Sequence, residues 1–518
     1  MAEPDNRAAQ PPAIAAHRVP CLCAKRSDAG KEEGPMKAGF PMSAVFLVLI
    51  PATAPAGPPT RIEISPDGRE RIQLQPRTDT PTPAPRYNGV PYPATPDWQN
   101  NIRRQVGGLA AADMNGDGRV DVIVGCYISS SFPPYTDWEN YIYYNTGTEL
   151  EANPSWTSAD ERHTGDVVIG DVNLDGYPDF VSINGGTAFS PSVIYYGGPG
   201  GPDNIPDWIA TPPQAVWATS GALVDYDHDG DLDLFNTNQG VSPNPYRPMY
   251  GFRNNAGVLE TSPSWISVES SIQGGVAFGD YDKDGWEDMA VSKWVNFETC
   301  IYRNIAGVLQ TVPAWTSGVT SGDRGVSWAD VDGNGFPDLA VGRSPIMMYA
   351  NTAGALSPVW QATTPSSNPQ DMRFHDVDRD GDMDLVEVIF SSGRTHIFLN
   401  TNGVLGTSPA WIWDSPLTGT AVAFGDINGD GWDDLIVGNS GQPCVYVFYA
   451  RIPVVPGDMN CDGLVNQLDV PLFVLALLDP AAYATAQPNC FLSRGDLNVD
   501  SLVNGDDVQG FVAAVIGP

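Results

Sequence analysis

A nine-residue pattern, D-x-[DN]-x-[DN]-G-x-x-D, recurs seven times in this chain, starting at Asp113, Asp171, Asp225, Asp280, Asp330, Asp376 and Asp426. The mean spacing of about 52 residues is close to the length of one propeller blade. Each copy lies between two short apolar runs. In the fourth, Val276-Ala277-Phe278 enters the loop and Met289-Ala290-Val291 leaves it; in the seventh, Val422-Ala423-Phe424 and Leu435-Ile436-Val437 do the same. Such runs around a Gly-containing turn read as a β-hairpin. A third run follows, such as Cys300-Ile301-Tyr302-Arg303-Asn304, and then a Pro-x-Trp that suits a fourth strand, at Trp98, Trp156, Trp208, Trp265, Trp315, Trp360 and Trp411. Four strands per repeat make a blade, so the chain is expected to be all-β, a seven-bladed β-propeller over residues 86–452.

The two repeats are out of phase. The first Pro-x-Trp precedes the first acidic loop and none follows the last. In a ring, the strand near Tyr87 to Trp98 can complete the blade whose other three strands follow Asp426, leaving no open edge. Identical placement in every repeat assigns these tryptophans to packing between blades, with carbohydrate stacking as the alternative.

The acidic spacing has a chemical reason. A hard cation such as Ca2+ takes six to eight oxygens, and a tight loop delivers them from alternate positions with a backbone carbonyl at the seventh. The sixth position is glycine in every copy, as a left-handed turn requires. The expected ligands are Asp113, Asn115, Asp117 and Asp121 with the Arg119 carbonyl; Asp171, Asn173, Asp175 and Asp179 with that of Tyr177; and Asp225, Asp227, Asp229 and Asp233 with that of Asp231. The fourth loop supplies Asp280, Asp282, Asp284, Asp288 and the Trp286 carbonyl, and the fifth Asp330, Asp332, Asn334, Asp338 and the Phe336 carbonyl. Asp376, Asp378, Asp380, Asp384 and the Asp382 carbonyl form the sixth set; Asp426, Asn428, Asp430, Asp434 and the Trp432 carbonyl form the seventh. One Asp-Gly turn alone would be an ordinary solvated hairpin. Seven copies with acids or amides at positions one, three, five and nine point to about seven bound Ca2+. Magnesium fits less well, since it holds its waters in a tighter octahedron.

Segments such as Phe278-Gly279-Asp280 to Asp288 and Phe424-Gly425-Asp426 to Asp434 resemble the FG-GAP or VCBS repeats of integrin-α-like propellers. The resemblance implies seven blades with calcium in the hairpin joining the first two strands of each. Its members include adhesion receptors, lectins and exported proteins, so it speaks to fold more than to ligand.

Residues 457–518 follow a different pattern, two twelve-residue loops each followed by an apolar segment suited to a short helix. The first offers Asp458, Asn460, Asp462, Asn466 and Asp469 with the Leu464 carbonyl; the second offers Asp496, Asn498, Asp500, Asn504 and Asp507 with the Leu502 carbonyl. This is EF-hand spacing with Asp at position twelve. The pair resembles a dockerin, which implies a small α-helical EF-hand domain with up to two more Ca2+ and a cohesin-like partner. It departs from that pattern at Ser501, where a turn glycine is expected, and at Gln467-Leu468 and Gly505-Asp506, where the family's cohesin contacts concentrate. Cys461 and Cys490 flank the first predicted helix; a disulfide there would staple a small core, and two buried thiols are the alternative.

Residues 1–56 read as a leader. Met36 and Lys37 open a short n-region, Ala44 to Ile50 form an apolar stretch, and Ala52-Thr53-Ala54 or Ala54-Pro55-Ala56 offers a cleavage site, with Met36 the expected true start. A Pro-rich linker follows over residues 57–85. The mature protein is therefore expected to be secreted or at the cell surface, with no membrane span. Cys21 and Cys23 would go with the leader, and the pairing of Cys126, Cys300 and Cys444 stays open. With 62 Asp+Glu against 27 Lys+Arg and a formal net charge of -35, the chain lacks the basic surface that nucleic acid needs.

No catalytic constellation stands out. His228 and His375 sit in or beside acidic loops, and His163 and His396 have no partner visible in sequence. Acids outside the repeats, such as Glu139, Glu298, Glu387 and Asp414, are the carboxylates a hydrolase could use. The leading reading is an exported, non-catalytic binding, adhesion or scaffold protein for a glycan or an extracellular protein. The alternatives are a dockerin-bearing polysaccharide-active enzyme, hydrolase or lyase, and a structural cell-envelope protein. The aromatics outside the repeat, Tyr135, Trp138, Trp217, Trp294 and Trp413, discriminate between them by where they gather.

Overall fold

In the computed structural model of the chain, the described residues are 61–64, 70–73 and 89–516, apart from short segments at 128–138, 148, 186–189, 216, 241–245, 295–296, 364–368, 416, 452–454, 462–463, 488–489, 491 and 499–501. The leader, most of the linker, Tyr135, Trp138, Asp462 and Asp500 lie outside them. The chain divides into residues 1–80 and 81–518. In the first unit Arg61–Ile64 pairs antiparallel with Glu70–Gln73.

The second unit carries an all-β propeller. Among the described residues five four-stranded antiparallel blades follow one another, with inner strands Thr164–Gly170, Trp217–Val224, Gln273–Gly279, Val326–Ala329 and Pro369–His375. Seven separate blades were expected, and here the structure differs. The remaining strands form one eight-stranded sheet, because the end of Asp434–Gly441 pairs with the start of Arg104–Ala112 at Ser440↔Gln105 and Gly441↔Arg104. Within it Trp98–Gln99 pairs with Val445–Phe448, so the N-terminal strand does join the last strands of the propeller. One of those partners, Thr418–Gly425, precedes Asp426 rather than following it.

Each acidic loop joins an inner strand to a second strand. Second strands such as Asp288–Lys293 are buried at every residue, since they have partners on both edges and blades on both faces. Several inner strands carry glycine where neighbours crowd them: a Cβ on Gly107 would lie 1.9 Å from the Thr164 carbonyl oxygen. They pack side by side, and Thr418–Gly425 packs in turn on Arg104–Ala112. A register shift recurs near the start of the inner strand, as at Val106/Gly108, Thr164/Asp166 and Ala218/Ser220, a β-bulge of the kind that bends a hairpin; Val326–Ala329 pairs without one. The repeat tryptophans pack between blades as expected. Trp98, Trp156, Trp208 and Trp265 are buried, and the indole N–H of Trp208 and Trp265 donates to the Leu259 and Leu309 carbonyls of the following blade at 3.1 and 3.0 Å.

Among the described residues beyond 457 lie three short α-helices, Asp469–Leu478, Pro480–Ala486 and Val508–Ile516. Helices follow both twelve-residue loops as expected, yet a paired EF-hand fold is not evident: a 3-10 turn, Leu492–Gly495, rather than an α-helix, leads into the second loop. Phe473 stacks on Phe511 at 3.9 Å, and the Tyr483 hydroxyl donates to the Met459 carbonyl. Cys461 and Cys490 form a disulfide.

Candidate functional site

The seven acidic loops share one geometry. In each, the position-one carboxylate accepts the N–H of the sixth-position glycine at 2.7 to 3.1 Å, from Gly118 on Asp113 to Gly431 on Asp426. Those glycines hold φ between 85° and 97°, and a Cβ there would meet nothing within 4 Å, so glycine is required by conformation and not by crowding. Position four is left-handed as well in all seven, including Leu174, His228, Lys283 and Arg379. Sequence reasoning missed this, because only three copies have glycine there.

Carboxylate oxygens converge inside the turns. Asp225, Asp227 and Asp229 bring theirs within 4.8 Å of one another, as do Asp280, Asp282 and Asp288; Asp330, Asp332 and Asp338; and Asp376, Asp378 and Asp384. In the first, second and seventh loops an asparagine, Asn115, Asn173 or Asn428, holds position three. The Asp227 Oδ1, Asp233 Oδ2 and Asp376 Oδ1 atoms are buried with no hydrogen-bond donor, the state a cation would relieve. Burial first, and neighbouring loop carboxylates next, push the ninth-position acids up: Asp384 and Asp434 to about 8, Asp233 and Asp288 to about 7. Arginines reach two of the loops from the third strand, Arg253 to Asp227 at 2.5 Å and Arg303 to Asp282 at 2.6 Å. These donor sets are hard oxygens and fit a hard divalent cation.

The ninth aspartate also has a structural task. Its Oδ1 accepts an N–H from the end of the blade's third strand in all seven repeats, from Asn145, Gly197, Asn254, Asn304, Asn351, Asn400 and Ala450, at 2.7 to 2.8 Å. Where that residue is asparagine, its Nδ2 donates to the second-position carbonyl of the preceding acidic loop: Asn145 to Ile427, Asn254 to Val172, Asn304 to Tyr226, Asn351 to Tyr281 and Asn400 to Val331. These five asparagines clamp five of the seven loops to a neighbouring blade. The signal for them was the recurring asparagine shortly before a glycine, as in Asn304-Ile305-Ala306-Gly307.

In the tail, Asp469 accepts the N–H groups of Met459, Asn460 and Asn466, and Asp507 those of Leu497, Asn498 and Asn504. The twelfth-position acids thus close both loops in the same way. Asp458, expected as the position-one ligand of the first tail loop, accepts from the fully buried Arg494 at 2.9 Å.

A channel of about 760 Å3 runs between the inner strands. Its wall carries Asp166 and Asp371, whose carboxylates accept the Gly221 and Val422 N–H groups of other strands. Burial raises Asp166 to about 6. The carboxylates singled out by sequence do not line it. Glu387 is buried against His396 at 2.7 Å and Asp414 pairs with Arg394 at 2.5 Å. His163 packs edge-on against Tyr127, and His228 stacks on Trp286. Of the discriminating aromatics, Trp413 is buried beside Tyr446 and Phe448, while Trp217 and Trp294 face the channel.

Among known proteins, the FG-GAP-like repeat family matches residues 113–182, 171–236 and 376–437, each match opening on a loop aspartate. No curated protein matches the chain. Among solved structures, the crystal structure of BBS1N in complex with ARL6DN, soaked with lead, aligns at 13% identity and a TM-score of 0.48, covering 70% of this chain and 98% of that one. The chain thus carries FG-GAP-like repeats in a β-propeller arrangement.

Proposed function

We propose that this is an exported, calcium-loaded seven-bladed propeller that binds a glycan or an extracellular protein without converting it, with a dockerin-like C-terminal module for assembly. The blade count treats the eight-stranded sheet as two blades joined by the two-residue bridge at Ser440 and Gly441, which matches the seven acidic loops. Calcium is the cation proposed, about seven in the propeller and up to two in the tail. The observation that carries it is the loop geometry repeated seven times, with clustered hard oxygens and buried carboxylate atoms lacking a donor. The like environment of Asp469 and Asp507 supports a duplicated module in the tail.

A binding role is favoured over catalysis because Asp166 and Asp371, the wall acids, are taken up by backbone N–H groups of other strands. Two groups so held are poorly placed to exchange protons with a substrate. The test is a screen of the full protein against a glycan array and a polysaccharide panel with product detection, alongside metal analysis. Saturable binding without products, in a calcium-containing protein, is expected. Released oligosaccharides would make it a polysaccharide-active enzyme. No ligand at all would favour a structural cell-envelope role.

A further inference from the structure

The channel has two unlike ends. Acidic loops follow the inner strands, so residues at the starts of inner strands and the ends of second strands lie at the opposite mouth. Tyr127 ends Asp121–Tyr127, Trp217 begins Trp217–Val224, and Trp294 and Phe390 directly follow Asp288–Lys293 and Asp384–Ile389. All four rings line the channel and all are half-buried, neither packed away nor free in solvent. Tyr127 and Trp217 stand with centroids 5.8 Å apart.

Arg324 completes this mouth. Its guanidinium lies 4.1 Å from the Trp294 ring centroid and 5.5 Å from that of Phe390, and it donates to the Gln370 side-chain oxygen. Among the described residues its Nε is buried without an acceptor and no carboxylate pairs with it. In a chain of net charge -35 this is unusual, since Arg253, Arg303, Arg343, Arg394, Arg451 and Arg494 are each paired with an aspartate. Desolvation pulls its pKa down, yet a guanidinium stays charged. A half-buried cation held over two rings, with no counter-charge among the described residues, is a site for an anionic group supplied from outside.

We propose that this mouth binds an acidic sugar, the uronate residue of an oligosaccharide, with its carboxylate on Arg324 and its apolar C–H face on Trp294 or Trp217. The ligand class combines what the site offers. One carboxylate answers one guanidinium, flat C–H faces answer the electron-rich rings, and ring hydroxyls answer the amides of Gln239 and Gln370, which also line the mouth. The channel volume falls within the roughly 300–1,000 Å3 usual for small-ligand sites. An aspartate-tipped peptide would satisfy Arg324 but leave the rings without a flat partner.

The inference rests on the binding reading above, and one set of titrations separates the two. Calorimetry of the full protein with a trigalacturonate, its methyl ester and a neutral trisaccharide, with tryptophan fluorescence in parallel, should give saturable binding and quenching by the uronate alone. Esterification, Arg324→Gln and Trp294→Leu should each weaken binding at least about tenfold, while Arg324→Lys, which keeps the charge but loses the planar fork, should weaken it less than Arg324→Gln. The ester arm uses the unaltered protein, so it decides even where a variant fails to fold. Equal binding of acid and ester, full binding by Arg324→Gln, or competition by an aspartyl peptide with none by uronate would overturn the proposal. A glycan or protein bound undiminished by the Arg324 and Trp294 variants would overturn the channel site and leave the binding reading standing. Cleavage of a bound uronate would do the reverse.

Discussion

Within each acidic loop, backbone conformation decides more than contact. Gly285 holds φ 89° with open space where a Cβ would go, whereas Lys283, two residues earlier, holds φ 59° despite its side chain. Gly285→Ala should therefore cost about 1–2 kcal/mol, the penalty for a left-handed L-residue. In Lys283→Gly, relief of the same strain is offset by the larger entropy of glycine in the unfolded chain, so stability should change by less than about 1 kcal/mol. Denaturant titration in excess calcium measures both, and equal losses would show that crowding governs the turn. The glycine requirement was legible in sequence because glycine recurs without exception. Position four was not, because Leu174, His228, Lys283 and Arg379 each tolerate the conformation and hide the pattern. The clamp asparagines recur visibly before a glycine, but what they hold was hidden for another reason: their partners are backbone carbonyls, which leave no mark on residue type. Asn304→Ala leaves the Tyr226 and Glu287 carbonyls without their side-chain donor. It should cost about 1–3 kcal/mol for each carbonyl left unsatisfied, read as a shift in denaturation midpoint.

Among the elements, the hairpin order of the blades followed from short apolar runs around an Asp-rich turn, and the Pro-x-Trp strand from its even recurrence. The merging of strands into an eight-stranded sheet did not, because it depends on two residue pairs, Ser440↔Gln105 and Gly441↔Arg104, far apart in sequence. The tail divides in the same way. Its helices Asp469–Leu478 and Val508–Ile516 begin where the loop spacing ends, and the Cys461–Cys490 disulfide follows from a small core's need for a staple. The buried pair of Arg494 with Asp458 joins residues whose partnership no spacing reveals. The disulfide has a sequence separation of 29, and in the chain-entropy account a loop of that size stabilises by about 3–4 kcal/mol. The tail core is small, with Met459, Phe473, Ala476, Tyr483 and Phe511 as its buried centre. Cys461→Ser with Cys490→Ser should therefore unfold the tail near room temperature while the propeller transition persists. Differential scanning calorimetry separates the two, and a single shared transition lowered as a whole would show that the tail does not melt independently.

For the molecule as a whole, closure and charge set the stability. Trp98–Gln99 supplies the edge partner of Val445–Phe448. A chain starting at Gly107 loses it and should aggregate through the exposed strand, and an unchanged monomer would refute closure by that strand. Charge acts on every loop at once. The -35 net charge is concentrated in turns where carboxylates lie within a few Å, and each like-charged pair costs on the order of 1 kcal/mol even at a water-like dielectric. Nine Ca2+ would offset about half of that net charge, and each site held at a hundredfold excess over its dissociation constant adds about 2.7 kcal/mol by linkage. Several such sites together exceed the roughly 5–15 kcal/mol net stability of a typical domain. Because the ninth aspartate both faces the loop and bonds the third strand, and the asparagine beside it clamps the preceding loop, repulsion in one turn has a direct route to the preceding blade. EDTA should thus lower the melting temperature strongly and open the propeller to proteases. Calcium should restore it better than magnesium, which keeps its waters and demands a smaller octahedral site. A melting curve unmoved by EDTA, in protein shown by metal analysis to be empty, would falsify the structural role proposed for these loops.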